Sequence, residues 1–213
     1  MIPLKDHNPR STPPVVTVVI ILANVVAFYS EIRYGFDPVI TRFGAVPSDI
    51  LHGLRLETLF TSMFLHGGFM HIAGNMLYLW IFGDNIEHYL GHSRFLVFYL
   101  LCGLLATLGH ILLGGASHVP MVGASGAISG VLGAYLVKYP KAKVVVLIPI
   151  IWFLTVRTIP AFFVLGFWFL LQLLYGLGSL DTQGGGVAFW AHVGGFVAGM
   201  ALVLVFPTRR RSK

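Results

Sequence analysis

The feature that most constrains this chain is a series of apolar runs long enough to cross a lipid bilayer. A helix needs about 20 mostly apolar residues to span a hydrocarbon core about 30 Å thick. Six segments meet or approach that length: 15–30, 71–88, 94–113, 125–139, 160–177 and 187–206. The chain has 213 residues, of which 56% are hydrophobic and 10% charged, and its mean hydropathy is +0.83. Such a composition cannot also cover a soluble domain with charge. The expected fold class is all-α: a polytopic membrane protein with six transmembrane helices in a single domain over residues 1–213. The first run ends in Val26-Ala27-Phe28-Tyr29-Ser30-Glu31, without a small-x-small cleavage pattern, and reads as a retained span rather than a signal peptide. A seventh apolar run, 144–154, is shorter and contains Pro149. It reads as an interfacial or re-entrant piece of the loop before the fifth span.

A net charge of +6 would point a soluble protein toward nucleic acid. Here the basic residues flank apolar runs, which is the pattern of membrane orientation, and no nucleic acid is expected. With the N-terminus inside, the inner segments hold Lys5, Arg10, Arg94, Lys138, Lys141, Lys143, Arg157, Arg209, Arg210, Arg211 and Lys213. The outer ones hold only Arg33, Arg42 and Arg55. The bias predicts both termini in the cytoplasm and an even number of spans, in a cell (plasma or inner) membrane. The outer loop 31–70 spaces Leu51, Leu54, Leu56, Leu59, Phe60, Met63 and Phe64 like an amphipathic segment lying in the interface. The outer loops 114–124 and 178–186 are short and Gly-rich. Cys102 is the single cysteine and has no internal disulfide partner.

Polar side chains inside a span are costly and point to function. Four stand out: His71 and Asn75 in "MHIAGNM", Ser125 in "VGASGAI" and His192 in "WAHVGGFVAG". The second, fourth and sixth spans all start outside. At about 1.5 Å rise per residue, the four residues share one layer below the outer surface. A serine hydroxyl is a weak nucleophile until a base takes its proton, and a neutral imidazole at His192 can be that base. Ser125 at a helix start lies beside unpaired backbone N–H groups able to hold an oxyanion. His71 and Asn75, at i and i+4, share a helix face and can both donate to it. Gly123, Gly126, Gly130 and Gly133 on one span, and Gly194, Gly195 and Gly199 on the other, let two backbones approach closely. No His-Glu-x-x-His zinc pattern occurs, so no metal is expected.

"HIAGN", "GASG" and "AHVGGFVAG" resemble the three signatures of the rhomboid intramembrane serine proteases: His-x-x-x-Asn, Gly-x-Ser-Gly and His-x-x-Gly-x-x-x-Gly, in that order. "LFTSMFLHGGFMHIAGNM" is similar to the segment leading into the family's second span, and the whole fits its six-span core form. The resemblance implies a dyad with Ser125 as nucleophile and His192 as general base. It makes His71, Asn75 and the Ser125 backbone N–H the oxyanion hole. It also implies transmembrane protein substrates cut within or beside a helix, contact with membrane lipids, an active site near the outer face, no cofactor and no metal.

Two departures stand against the family pattern. Many members carry Trp-Arg where this chain has Glu57-Thr58, so loop rigidity or lipid contact is expected to differ. Many carry an aromatic residue one turn after the nucleophile; Ser129 here is expected to deprive His192 of a packing partner. The fifth span holds Phe162, Phe163, Phe167, Trp168 and Phe169, facing lipid by default or forming a lateral gate, with Gln172 as nearly its only polar anchor. The alternative function is a catalytically inactive rhomboid-like protein that binds membrane proteins. A transporter or channel would call for paired intramembrane charges or internal repeats, and neither is found.

Overall fold

In the computed structural model the described residues are 1–8, 12–150, 153–178 and 188–208. Strand β1 (Ile2–Asp6) precedes helix α1 (Val15–Tyr34). Three short helices, α2 (Phe36–Phe43), α3 (Pro47–Leu51) and α4 (Thr58–Thr61), then build the long loop. Helix α5 (Phe69–Tyr78) runs through a π-turn (Leu79–Gly83) into α6 (Asp84–Leu90), and α7 (His92–Gly114) and α8 (Ser125–Lys138) follow. Strands β2 (Lys143–Ile150) and β3 (Phe153–Pro160) lead into α9 (Ala161–Gly178), and α10 (Phe189–Val205) is the last helix described. Helices α1, α7 and α9 are each long and apolar enough to cross a membrane, and α10 is a shorter apolar helix. The expectations for Arg10, for 179–187 and for the tail 209–213 fall outside the described residues.

Helix α8 is the centre of the bundle: every residue from Gly126 to Tyr135 is buried. A helix apolar on all sides belongs inside, and the small residues of this one let α7 and α10 close on it from two sides. Aromatic and branched side chains fill the remaining core, with Phe82 meeting Tyr135 edge to face at 4.9 Å.

Helix α1 is fastened at both ends by buried carboxylates. At its start, where backbone N–H groups lack intrahelical acceptors, Val16 and Thr17 N–H each donate to Glu87 at 2.8 Å. The Thr17 hydroxyl adds a bond to Glu87 at 2.7 Å. Toward its other end, Glu31 accepts the His66 N–H at 2.9 and 3.1 Å. That contact fixes the turn that launches α5. The outer loop is braced at Arg55, whose backbone takes a φ of 51°. Its guanidinium donates to the carbonyls of Thr41 at 2.8 Å and Arg42 at 2.5 Å and pairs with Asp49 at 3.3 Å. Arg55 therefore locks the loop where Glu57-Thr58 replaces the family's Trp-Arg pair. Leu51, Leu54, Leu56 and Phe60 are exposed beside it, whereas Met63 is buried.

The all-α expectation needs correction. The described residues of the seventh apolar run, 144–150 and 153–154, are strand rather than helix, part of a three-stranded antiparallel sheet in the order β1-β2-β3. Short apolar runs do not distinguish strand from helix by periodicity; β-branched content does. Val144–Val146, Val156, Thr158 and Ile159 favour the pleated form. Lys143 pairs with Pro160, so the chain returns to the end of the bundle it left. Val144 and Val146 pack into the core, and Asp6 of β1 accepts from Tyr135 at 2.6 Å and Asn85 at 3.0 Å.

Candidate active site

Ser125 is the first residue of α8, directly after a turn that only glycine adopts comfortably. Gly123 has φ +128°, and a Cβ there would sit 2.9 Å from His71 Nε2 and 3.4 Å from Ser125 Oγ. The glycine thus keeps open the space that both side chains face. Its N–H donates to the Ser62 carbonyl at 2.9 Å, tying the turn to the outer loop. The Ser125 N–H lies in the first helical turn, where donors have no intrahelical acceptor.

His192 lies in the first turn of α10, and its Nε2 is 2.8 Å from Ser125 Oγ. Close approach of two glycine-rich backbones makes that distance possible. A Cβ at Gly195 would fall 3.0 Å from the Gly126 carbonyl carbon, and one at Gly199 would fall 2.5 Å from Gly130 Cα. A Cβ at Gly133 would fall 3.0 Å from the Phe196 carbonyl carbon, and one at Gly194 would fall 3.2 Å from Gly109 Cα of α7.

His71 and Asn75 line the same cleft from α5. Gly67 N–H donates to His71 Nδ1 at 3.2 Å. That bond makes Nδ1 the acceptor, so the neutral ring carries its proton on Nε2, toward Ser125. Asn75 is buried, and its Nδ2 has no hydrogen-bond partner among the described residues. An amide donor held dry and unpaired is costly unless an acceptor arrives, and an oxyanion is such an acceptor.

Two neighbours of His192 come from α9. Gln172 Oε1 lies 2.8 Å from His192 Nδ1, and the Trp168 ring lies 5.9 Å from the imidazole, tilted by 38°. Trp168 therefore supplies the aromatic neighbour that Ser129 was expected to forfeit. Ser129 instead donates to the Ser125 carbonyl at 2.6 Å, a back-bond within the helix. Gln172 is the site residue that sequence reasoning missed. Its signal was a lone amide one turn after Trp168 in an otherwise apolar helix, since an amide in hydrocarbon needs a partner. On the same helix Phe162, Phe163 and Phe167 are exposed, whereas Phe169 turns inward to stack on Phe196 at 4.5 Å.

These residues line an open cleft of about 1570 Å³ that also reaches His110 and His118. His110 Nδ1 is buried without a partner among the described residues. His118 bonds to Ser48 at 2.9 Å. The arrangement sets a serine hydroxyl against an imidazole, with His71 and Asn75 lining the same open cleft.

Known proteins share sequence with this chain. A family model described as Rhomboid domain matches residues 54–209. Rhomboid protease GluP of Bacillus subtilis is 33% identical over 144 residues, covering 62% of this chain and 28% of that protein. Rhomboid protein 1, mitochondrial, of Saccharomyces cerevisiae is 33% identical over 145 residues, 65% of this chain and 38% of that protein. RHOMBOID-like protein 1 of Arabidopsis thaliana is 31% identical over 191 residues, 83% of this chain and 44% of that protein. The chain thus spans less than half the length of each of these three relatives.

Proposed function

Because the chain belongs to the rhomboid family, we propose that it is an intramembrane serine endopeptidase working through a Ser125–His192 dyad. The observation that carries the reading is the 2.8 Å contact between Ser125 Oγ and His192 Nε2 inside a cleft shared with His71 and Asn75. Ser125 Oγ attacks the scissile carbonyl while His192 Nε2 takes its proton. The carbonyl oxygen, now an oxyanion, is held by His71 Nε2–H, Asn75 Nδ2–H and the Ser125 backbone N–H. His192 returns the proton to the leaving amine. Water then attacks the acyl-enzyme by the same route in reverse.

On this proposal residues 1–213 are one rhomboid-like domain with six spans: α1, the continuous α5–α6 helix, α7, α8, α9 and α10. Both termini lie in the cytoplasm of a cell membrane, and the site sits toward the outer face. The substrates are other membrane proteins, cut within or beside a transmembrane helix. The cleft, larger than a drug-sized pocket of roughly 300–1,000 Å³, suits an extended peptide segment.

The test is cleavage of a panel of single-span membrane proteins by wild type and Ser125→Ala, with fluorophosphonate labelling of both. Wild type is expected to cleave and label, and Ser125→Ala to do neither. Labelling that survives Ser125→Ala overturns the assignment of the nucleophile. Binding of those proteins without cleavage or labelling by wild type favours the inactive client-binding protein.

A further inference from the structure

We propose that Gln172 is a positioning residue that sets the tautomer and orientation of His192, so that the dyad is assembled only when α9 lies against α10. The proposal rests on the reading of Ser125 and His192 as nucleophile and base.

The argument begins with what a proton-accepting imidazole requires. Nε2 must present a lone pair to the Ser125 hydroxyl, so the single proton of the neutral ring has to sit on Nδ1. Nothing intrinsic to histidine enforces this; the hydrogen bond made by the other nitrogen decides. That nitrogen, Nδ1, faces Gln172 Oε1 at 2.8 Å. An amide oxygen accepts and cannot donate. Nδ1 is therefore the donor, and Nε2 is left free to accept from Ser125 at 2.8 Å. With the proton on Nε2 instead, two O–H and N–H donors would meet, and the serine could not be activated.

Gln172 also suits its surroundings. A carboxylate at this place would hold the imidazolium more strongly, but an ionised carboxylate among apolar helices carries a heavy desolvation penalty. A neutral amide provides the same acceptor geometry without it. As His192 takes up the serine proton, Nδ1–H keeps donating to Oε1, and the amide dipole opposes the new positive charge.

The same helix holds the ring in a second way. Trp168, one turn before Gln172, lies 5.9 Å from the imidazole. Residues four apart share a helix face, so α9 presents an aromatic ring and an amide oxygen to His192 together. Phe169 stacks on Phe196, one turn after His192, at 4.5 Å. Several contacts thus join α9 to α10, Trp168–Phe196 and Tyr175–Phe189 among them, and those from Gln172 and Trp168 touch the base itself. If α9 draws away, Nδ1 loses its acceptor, and the ring is free to turn and to change tautomer. The helix beside the cleft thereby governs the competence of the dyad.

The experiment uses the full chain in proteoliposomes with Gln172→Leu and Gln172→Glu. It measures kcat, KM, fluorophosphonate labelling, thermal midpoint and the pH profile of kcat/KM. Positioned acid–base catalysis supplies about 10²–10⁴ in rate. Losing the orienting bond in Gln172→Leu is expected to remove part of that, about 10- to 100-fold in kcat, with labelling slowed in parallel and KM little changed. Gln172→Glu keeps an acceptor at the same reach and is expected to restore most of the rate. It also brings a negative charge beside the ring, which is expected to raise the acid limb of the profile by about one pH unit. The other titratable groups acting on His192 are His71 on α5 and His110 on α7. The shift is expected to persist with His110→Gln added. Wild-type kcat in Gln172→Leu overturns the proposal. So does an equal loss in both variants with lowered thermal midpoints and an unmoved pH profile, which marks a structural role. Those results leave the dyad standing, whereas cleavage or labelling by Ser125→Ala removes the dyad whatever Gln172 does.

Discussion

Gly195→Ala is expected to damage catalysis by moving a whole helix rather than by touching the dyad. An alanine methyl at 195 would lie 3.0 Å from the Gly126 carbonyl carbon and closer still to its oxygen, with Ala106 Cβ at 3.2 Å on another side. Non-bonded carbons rest at about 3.5–4.0 Å. The obstructing atoms at Gly126 are backbone, so no side chain can swing away, and α10 has to draw back from α8 by roughly 0.5–1 Å. His192 lies one turn earlier on the same helix. Its 2.8 Å contact with Ser125 would stretch to about 3.3–3.8 Å, past the useful range of a hydrogen bond. A misplacement near 1 Å costs about 100-fold in rate, and overpacking costs about 1–3 kcal/mol in stability. The assay is kcat on one transmembrane substrate, beside the thermal midpoint in the same detergent. Gly166→Ala on α9, where a Cβ meets nothing within 4 Å, is the control and should change neither. A wild-type rate and midpoint in Gly195→Ala would refute the idea that glycine contact sets the dyad distance.

Three further outcomes are expected. Asn75→Ala should lower kcat by about 10²–10³, the loss typical of one oxyanion donor, with KM nearly unchanged; an equal loss in binding would show a ground-state contact instead. Glu31→Ala leaves the buried His66 N–H without its acceptor. It should destabilise the protein by about 1–3 kcal/mol, read as a lower midpoint that Glu31→Gln largely restores. Burial, with His71 nearby, pushes His66 in the outer loop down to about 4 from its ordinary 6.5. The unfolded chain therefore binds a proton that the folded one refuses between those values, and stability should fall as pH drops from 6.5 toward 4. His66→Phe should flatten that slope in midpoints measured at pH 7.5 and 5; an unchanged slope assigns it to other groups.

The membrane character of the chain was legible because its cause, long apolar runs, is written locally in the sequence. The predicted run 94–113 lies inside α7 (His92–Gly114), and 160–177 matches α9 (Ala161–Gly178) to within one residue at each end. The meeting of Ser125, His71, Asn75 and His192 in one cleft was legible for a different reason: an expected alternation of span direction predicted three helix starts at one depth. What escaped the sequence depends on helix rotation and on pairing between distant segments. Nothing local states that α9 turns Gln172 and Trp168 toward His192 while Phe163 and Phe167 face outward. The sheet escaped because 144–154 was read without a partner, and a strand is defined by its neighbour. Pro3, Lys5 and Asp6 gave no sign that they would pair with Val144–Val146.

That pairing has a consequence for the order in which the molecule is made. β1 leaves the ribosome about 140 residues ahead of its partner strand, a separation that makes the contact slow to form. Most of the helices are synthesised before β2 exists. Until then the early strand lacks the backbone partner that β2 supplies. The sheet therefore closes after most of the helical bundle is in place, and the earlier-made strand is among the last of these elements to be seated.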